Sequence, residues 1–432
     1  MNDKDLGSLA VEAWIVGYPL VLMDVSRQVM TTQGEPPNTF DHMRAFPDHT
    51  FTDVVTPDAD TLYSSAWLDL RDEPIVLSLP EMTGRYHMMP MLSGWTEVFA
   101  APGSRTTGED GGEFAICPPG WEGDLPAGVT RIDAPTSMVR VIGRTSASGT
   151  KDYLAVHALQ NNYLLTPLSE FTEHAAPPRP VPPLSTTTDV SAPVDQVARM
   201  DGPTFFSRLA SLLADNPPPP ADQTIVDSLA ALGIRPGLPL DLSDPAAAVA
   251  VGAAPSAGQA ALRRIGAEMS EDKTNGWSIP RGLGSYGTDY GRRAYVAFLG
   301  LGANLDADAI YPYVMIDGEG RALNGGHQYV LHFEGGELPP VNGFWSLTMY
   351  DDKQFFVDNP VDRYAIGDRD NLTYGQDGSL DIWIQHEEPG AEFMSNWLPA
   401  PTGSFNLFFR AYWPQQAALD GTWAPPPITR LV

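Results

Sequence analysis

The sequence contains a single cysteine, Cys117, in the segment FAICPPGW. One cysteine cannot form a disulfide within the chain, so a disulfide framework is excluded. Because Cys117 lies in an apolar run that ends at a Pro-Pro-Gly turn, we interpret it as a buried thiol rather than a catalytic nucleophile. A reducing compartment fits such a chain, and we expect a cytoplasmic protein.

Basic residues are also scarce. Lys and Arg total 26 against 54 Asp and Glu, which gives a formal net charge of -28. A surface of this charge repels phosphate backbones and anionic lipid headgroups. We therefore expect neither nucleic acids nor membranes as partners, and a small molecule as the substrate or ligand.

Long uninterrupted hydrophobic runs are missing as well. The most apolar stretch is LAVEAWIVGYPLVLMDV at residues 9–25, and Glu12, Pro19 and Asp24 interrupt it. A membrane span needs about 20 apolar residues. A signal peptide needs a basic start, whereas this chain opens MNDKD. The stretch predicts a buried helix with a kink near Pro19.

Familiar catalytic and cofactor motifs do not occur in a supporting context. GLGSYG at residues 282–287 fits G-x-G-x-x-G, but no strand precedes it and no βαβ unit surrounds it. The sequence has no G-x-S-x-G, Walker or H-E-x-x-H motif and no Cys/His cluster with zinc spacing. We therefore expect no cofactor. An oxygen-ligated Ca²⁺ or Mg²⁺ remains an open alternative among so many carboxylates.

The pattern that is present alternates with period two. Short strand-like segments run from residue 61 to residue 145, and the same rhythm returns from about residue 310. Gly, Pro and Asp turns at close spacing indicate antiparallel sandwiches or barrels. Helical patterns fill the region between them. We predict an α+β fold, mainly antiparallel β, with segments 1–173, 174–275 (a Pro-rich linker and helical insert) and 276–432.

The two β regions also resemble each other. Residues 113–144 contain a strand, a Pro-Gly turn, a second Pro-containing turn and a strand that carries Arg140. Residues 380–412 repeat that order, and their last strand carries Arg410. This similarity predicts two related β-sandwich halves.

Polar and aromatic side chains near the strands supply the candidate site. Asp58 and Asp60 precede a strand in TPDADTLYSSAWLDL. Carboxylates in different environments can divide acid and base roles, and aromatic walls suit sugars or flat ligands. The candidate catalytic residues are Asp60, Arg85, His87, Tyr350 and Asp351. The candidate substrate-binding residues are Tyr63, Trp95, Trp345 and Arg363.

Several longer motifs resemble a known bacterial family. GYPLVLMD, FTDVVTPDADTLYSSAWLDL and GRYHMMPMLSGWTEVFAAPGSRTTG are similar to domain of unknown function 1254. FWSLTMYDDKQFFVDNP, RYAIGDRD and DGSLDIWIQHEEPG are similar to its usual partner, domain of unknown function 1214. The resemblance implies two jelly-roll-like β-sandwich domains with helical insertions and a homo-oligomer. Relatives often carry Asn at position 58, whereas Asp60, Tyr63 and Trp67 match the family pattern.

These observations lead to a functional hypothesis with two alternatives. We expect a cofactor-independent acid/base enzyme of hydrolase type that acts on a small polar or glycan-like molecule. The same residues could serve a lyase, cyclase or isomerase. The chain could also be a non-catalytic binding or oligomeric assembly protein.

Overall fold

A computed structural model describes residues 5–52, 55–172, 184, 187–269 and 272–431. Most of the Pro-rich linker predicted within 174–193 lies outside these residues. The helices are α1 (Leu6–Gln33), α2 (Tyr153–Gln160), α3 (Leu168–Phe171), α4 (Pro193–Ala198), α5 (Gly202–Leu212), α6 (Gln223–Ser228), α7 (Pro245–Glu268), α8 (Tyr290–Gly300) and α9 (Gln416–Leu419).

The first β region contains ten strands. They are β1 (Asp41–His42), β2 (Thr61–Asp69), β3 (Ile75–Leu79), β4 (His87–Met88), β5 (Met91–Ser93), β6 (Val98–Ala100), β7 (Gly112–Cys117), β8 (Val129–Asp133), β9 (Met138–Ser146) and β10 (Leu164–Pro167). Sheet A has the order β1-β2-β9-β5-β6, with β4 also on β9, and sheet B has the order β10-β3-β7-β8. Leu68 and Val141 of sheet A share one core with Leu77 and Ile116 of sheet B, so the sheets pack face to face.

The second β region contains eleven strands. They are β11 (Asp272–Thr274), β12 (Trp277–Ile279), β13 (Ala309–Ile310), β14 (Tyr313–Val314), β15 (Tyr329–Phe333), β16 (Val341–Asp351), β17 (Ala365–Gly367), β18 (Leu380–Gln385), β19 (Trp397–Pro399), β20 (Phe405–Pro414) and β21 (Ile428–Arg430). Sheet C has the order β11-β12-β14-β20-β16-β17, with β13 also on β20, and sheet D has the order β19-β18-β15-β21. Leu347 and Phe409 of sheet C share a core with Leu331 and Ile382 of sheet D.

The two sandwiches have the same strand connectivity. β2-β9-β5-β6 in sheet A corresponds to β14-β20-β16-β17 in sheet C, and β10-β3-β7-β8 in sheet B corresponds to β21-β15-β18-β19 in sheet D. Counted along the chain, the fifth and sixth of the eight corresponding strands form a parallel pair in both domains. These pairs are β7 with β8 and β18 with β19. The repeat predicted from residues 113–144 and 380–412 is therefore confirmed, as is the mainly antiparallel α+β fold. The jelly-roll description stays a prediction.

A helical core lies against one end of sheet A. Trp14 and Val21 of α1, Phe205 of α5, Val251 of α7 and Ala294 of α8 belong to one buried cluster. The sequence placed these helices in three separate segments, whereas the structure packs them together. The predicted segment boundaries stay predictions.

Helix α1 runs through Pro19 as one continuous helix. Its length and composition would allow it to cross a membrane, and 72% of its most apolar window is buried inside the protein. The apolar side chains of α1 are buried because they pack against α5, α7 and α8. Both a core helix and a signal sequence have this composition, so the cytoplasmic location stays a prediction.

The outer faces of sheets A and C meet between the domains. On β16, Trp345 and Leu347 point into the sandwich core, so the alternating side chains Ser346 and Tyr350 point out of it. Arg144 of β9 lies on the outer face of sheet A for the same reason. The two domains thus bring polar side chains together in a buried layer.

Candidate active site between the two β-sandwich domains

The segment TPDAD forms a turn that introduces β2. The backbone N–H of Asp60 donates a 2.7 Å hydrogen bond to Asp58 Oδ1. The Thr61 hydroxyl donates one of 2.7 Å to Asp58 Oδ2. Asp favours such turns because its short carboxylate can accept a hydrogen bond from the backbone N–H two residues ahead. The turn holds both aspartates in the buried layer between the domains, where Asp58 is 5% and Asp60 2% exposed.

Asp58 is ion-paired and links both domains. Arg144 Nη1 of the first domain lies 3.1 Å from Asp58 Oδ2. Tyr412 of the second domain donates a 3.1 Å hydrogen bond to the same oxygen. Burial opposes ionisation of Asp58, but the charges of Arg410 and Arg144 outweigh it and lower its pKa. Asp58 is therefore an ion-paired carboxylate that contacts both domains, in addition to forming the turn before β2.

Asp60 has a different environment. Its Oδ2 accepts a 2.5 Å hydrogen bond from the Ser346 hydroxyl, and its Oδ1 pairs with Arg369. Arg369 Nη1 also donates to the carbonyls of Asp60 at 2.9 Å and Ala147 at 2.8 Å. Burial raises the pKa of Asp60, the charge of Asp58 adds to this, and Arg369 only partly offsets it. Two carboxyl groups two residues apart thus have pKa values shifted in opposite directions.

Arg410 completes what we name the buried charge network, which consists of Asp58, Asp60, Arg144, Arg369 and Arg410. Arg410 Nη2 donates to Tyr350 Oη at 2.6 Å and to the Thr56 carbonyl at 3.1 Å. Tyr350 donates in turn to the Pro57 carbonyl at 2.6 Å. The second domain therefore holds the turn before β2 through backbone carbonyls as well as through side chains.

An open cleft of about 660 Å³ lies beside this network, and we name it the interdomain cleft. Asp60 and Arg369 line it, so one end of the network faces solvent-accessible space. Its other polar and aromatic lining residues are Phe46, Asp48, His49, Ser148, Thr150, Tyr153, Asp362, Arg363, Tyr364 and Asp370. Both domains contribute to its walls.

The structure places five of the nine candidate residues in or beside the interdomain cleft and the buried charge network. Asp60 and Arg363 line the interdomain cleft. Tyr350 accepts a hydrogen bond from Arg410 of the network, and the Arg144 guanidinium lies 4.4 Å from the centre of the Tyr63 ring. Arg85 pairs with Asp152 and lines an adjoining cavity together with Arg369.

The other four candidates lie elsewhere. His87 is buried on β4, beside the Ser104 hydroxyl at 3.2 Å, and burial lowers its pKa. Asp351 accepts from the backbone of Lys353 and Phe355 at the end of β16. Trp95 donates to the Pro217 carbonyl in the helical core, and Trp345 stacks on Phe409 in the second sandwich. Packing and turn geometry explain all four positions.

The buried charge network contains residues that the sequence pattern did not select. Arg369 follows the turn motif YAIGD, where a charged side chain is usually solvated. Arg144 and Arg410 stand within the apolar strands MVRVIGRT and FNLFFRAYW. A guanidinium inside such a strand indicates a buried partner. The sequence pattern also did not select His49, which lines the interdomain cleft and lies in a loop without any motif.

Among the residues that the structure describes, no group of three or more His, Cys, Asp or Glu side chains is arranged to hold an ion. The expectation of no cofactor and the alternative of Ca²⁺ or Mg²⁺ both stay predictions. Cys117 is buried, and burial raises the pKa of its thiol.

Comparisons with known proteins agree with the two-domain architecture. Residues 37–167 match the family model "Protein of unknown function (DUF1254)", and residues 308–416 match "Protein of unknown function (DUF1214)". No curated protein matches the chain.

Two solved structures can be compared with the whole chain. The VPA0106 protein from Vibrio parahaemolyticus is 26% identical with a TM-score of 0.78, and the match covers 99% of this chain and 100% of that one. An uncharacterized protein from Burkholderia cenocepacia is 11% identical with a TM-score of 0.45, and the match covers 97% of this chain and 88% of that one. The Vibrio protein shares the fold over its full length. Together with the two family matches, this shows that the chain pairs a DUF1254 domain at residues 37–167 with a DUF1214 domain at residues 308–416.

Proposed function

We propose that the protein is a cofactor-independent acid/base enzyme of hydrolase type that acts on a small polar or glycan-like molecule in the interdomain cleft. One observation carries this proposal. Asp60 lines the cleft with a raised pKa, while the adjacent Asp58 is an ion-paired carboxylate with a lowered pKa. Enzymes use such divided pairs to keep a proton on one carboxyl group beside a second that has lost it.

Asp60 is the proton donor in this proposal. A carboxyl group that retains its proton to higher pH can protonate a leaving group as its bond to the substrate breaks. Arg369, bonded to Asp60 and to two backbone carbonyls, fixes the position of the carboxyl group. Its charge also stabilises the carboxylate that remains after proton transfer.

His49 lines the same cleft, and in this proposal it accepts a proton from water. Its Nδ1 lies 3.1 Å from the Tyr364 hydroxyl, and His49 and Tyr364 both line the cleft. A ring nitrogen of a neutral imidazole can accept a proton, which suits a general base. Hydrolysis then balances: His49 takes a proton as water attacks, and Asp60 gives one to the leaving group.

The cleft walls suit a polar substrate with flat faces. Phe46 and Tyr153 meet edge to face with ring centres 5.5 Å apart, and Tyr364 stacks on Phe356 at 4.7 Å. Sugar rings pack on such surfaces, while Arg363 and the acidic rim offer hydrogen-bonding partners.

A variant pair tests the proposal. The purified protein is incubated with a library of small polar and glycan-like compounds, and consumption is followed by mass spectrometry. Asp60→Asn should lower any turnover by at least about a hundredfold, which is typical when an acid/base group is lost. Asp308→Asn is the matched control, because Asp308 is buried and paired with Arg105 but does not line the cleft. Turnover that survives in Asp60→Asn, or that falls equally in both variants, would contradict the proposal.

The alternatives predict different products. A lyase or isomerase would release unsaturated or rearranged products without incorporating oxygen from ¹⁸O-labelled water, whereas a hydrolase incorporates it. A non-catalytic binding protein would retain a ligand unchanged. A homo-oligomeric state also remains a proposal, to be measured by light scattering.

A further inference from the structure

The structure has a second and larger cleft, and we name it the aromatic cleft. Its volume is about 910 Å³, and it shares no lining residue with the interdomain cleft. Helix α8, strands β12, β14 and β20, and the loop at Thr56 form its walls. This volume is at the upper end of the range for small-molecule sites.

The walls of the aromatic cleft are mostly apolar. Tyr313 stacks on Phe408 with ring centres 5.4 Å apart and an interplanar angle of 19°, and both rings line the cleft. Tyr295, Leu299 and Met315 add apolar surface around it. Leu299 is 60% and Met315 49% exposed, although residues of this type are usually buried. An exposed apolar surface inside a concave cleft is typical of a ligand site.

Lys273 supplies the only charge among the described residues that line the aromatic cleft. It is one of only four lysines in a chain whose net charge is -28. Lys273 lies on β11 opposite Ser278 of β12, which also lines the cleft. One cation beside an otherwise uncharged apolar surface favours a ligand with one acidic group.

Backbone strain is concentrated at one edge of this cleft. Thr56 and Gln354 have φ angles of 51° and 70°, in the left-handed region that side chains other than glycine rarely adopt. The Thr56 N–H donates a 2.8 Å hydrogen bond to the Gln354 carbonyl, which holds the two strained residues together. The buried Gln354 Oε1 has no hydrogen-bond partner among the described residues. Strained backbone and an unused acceptor together are common where a ligand binds.

We propose that the aromatic cleft binds an amphipathic organic anion. Its flat apolar body lies on Tyr313 and Phe408, and its carboxylate or sulfonate group pairs with Lys273. This site is separate from the interdomain cleft and does not depend on the activity proposed there.

Two fluorescent probes that differ in one acidic group test this proposal on the full-length protein. 8-Anilinonaphthalene-1-sulfonate carries the acid, and N-phenyl-1-naphthylamine lacks it. The wild type should bind both saturably. Lys273→Glu should weaken binding of the sulfonate about tenfold and leave the neutral probe unchanged, because only the former pairs with the lysine. Tyr313→Ala should weaken both.

Lys151→Glu is the matched control, since it makes the same change in net charge at an exposed lysine outside the aromatic cleft. It should bind both probes as the wild type does. The proposal is wrong if the wild type shows no saturable binding, if Lys273→Glu retains full affinity for the sulfonate, or if Lys151→Glu loses as much. Thermal unfolding of each variant shows whether a loss of binding reflects a loss of folded protein.

Discussion

The Ser346 hydroxyl donates a 2.5 Å hydrogen bond to Asp60 Oδ2, although the two residues are 286 positions apart. Ser346 belongs to the second domain and Asp60 to the first, so this bond spans the domain boundary inside a buried layer. It fixes one oxygen of the carboxyl group that the proposed reaction uses. The position of Asp60 in the cleft is thus set by both domains.

Removing this hydroxyl should destabilise the protein. Leaving a buried hydrogen-bonding group without its partner costs about 1–3 kcal/mol, so Ser346→Ala should lower the free energy of unfolding by roughly that amount. Urea unfolding followed by circular dichroism measures it. Thr348→Val is the matched control, because Thr348 lies two residues along the same face and its buried hydroxyl has no partner among the described residues. That variant should be neutral or stabilising, and an equal loss in both would contradict the role assigned to Ser346.

Loss of Asp58 should be more damaging. Asp58→Ala leaves Arg144 and Arg410 buried without a carboxylate, and breaking a buried ion pair in this way costs about 3–5 kcal/mol. Urea unfolding of the purified variant measures the change. Asp133→Ala removes an aspartate from an exposed ion pair with Arg131, and it should leave the free energy of unfolding nearly unchanged. An Asp58→Ala variant as stable as the wild type would show that the network does not hold the domains together.

His42 should contribute a loss of stability as the pH decreases from 6.5. Burial, aided by the charge of Arg44, lowers the pKa of His42 from 6.5 to about 4. Below pH 6.5 the unfolded chain binds a proton that the folded protein resists, so the stability present above 6.5 is lost progressively toward pH 4. Unfolding free energies measured at pH 7 and pH 5 test this.

A variant at the same position isolates the histidine. His42→Gln can retain the hydrogen bond to Ser64, which is 2.9 Å long in the native protein, but it cannot titrate. It should show a smaller difference between pH 7 and pH 5. His386→Gln, at an exposed histidine, is the matched control because it leaves His42 and its contribution in place. If the wild type and His42→Gln show equal differences in unfolding free energy between pH 7 and pH 5, the contribution assigned to His42 is wrong.

The sequence predicted much of the fold because the relevant signals are local. The period-two alternation predicted strands from about residue 310, and in β16 Trp345 and Ser346 lie on opposite faces as such alternation requires. The repeated turn chemistry identified two related sandwiches. The helical core was harder to predict, since α1, α5 and α8 come from distant parts of the chain and a helical period does not specify which helices pack together.

The site was only partly predictable for the same reason. Asp60 stood out because two aspartates precede a strand, but its partner Arg369 is 309 positions away. No periodicity encodes such a pairing. His87 and Trp95 looked chemically suitable, yet the structure uses them in packing. Arg144 and Arg410 could have been predicted to belong to a buried polar site, because a charge within an apolar strand requires a buried partner.

The proposed reaction depends on Asp60 holding a proton at a pH where Asp58 has lost it. Carboxyl ¹³C NMR of protein labelled at aspartate, with the Asp60→Asn and Asp58→Asn spectra used to identify the two signals, measures both titrations directly. We predict a midpoint above the usual 3.8 for Asp60 and below 3.8 for Asp58. A midpoint for Asp60 at or below 3.8 would show that Arg369 keeps it ionised, and it would contradict the role of Asp60 as the proton donor.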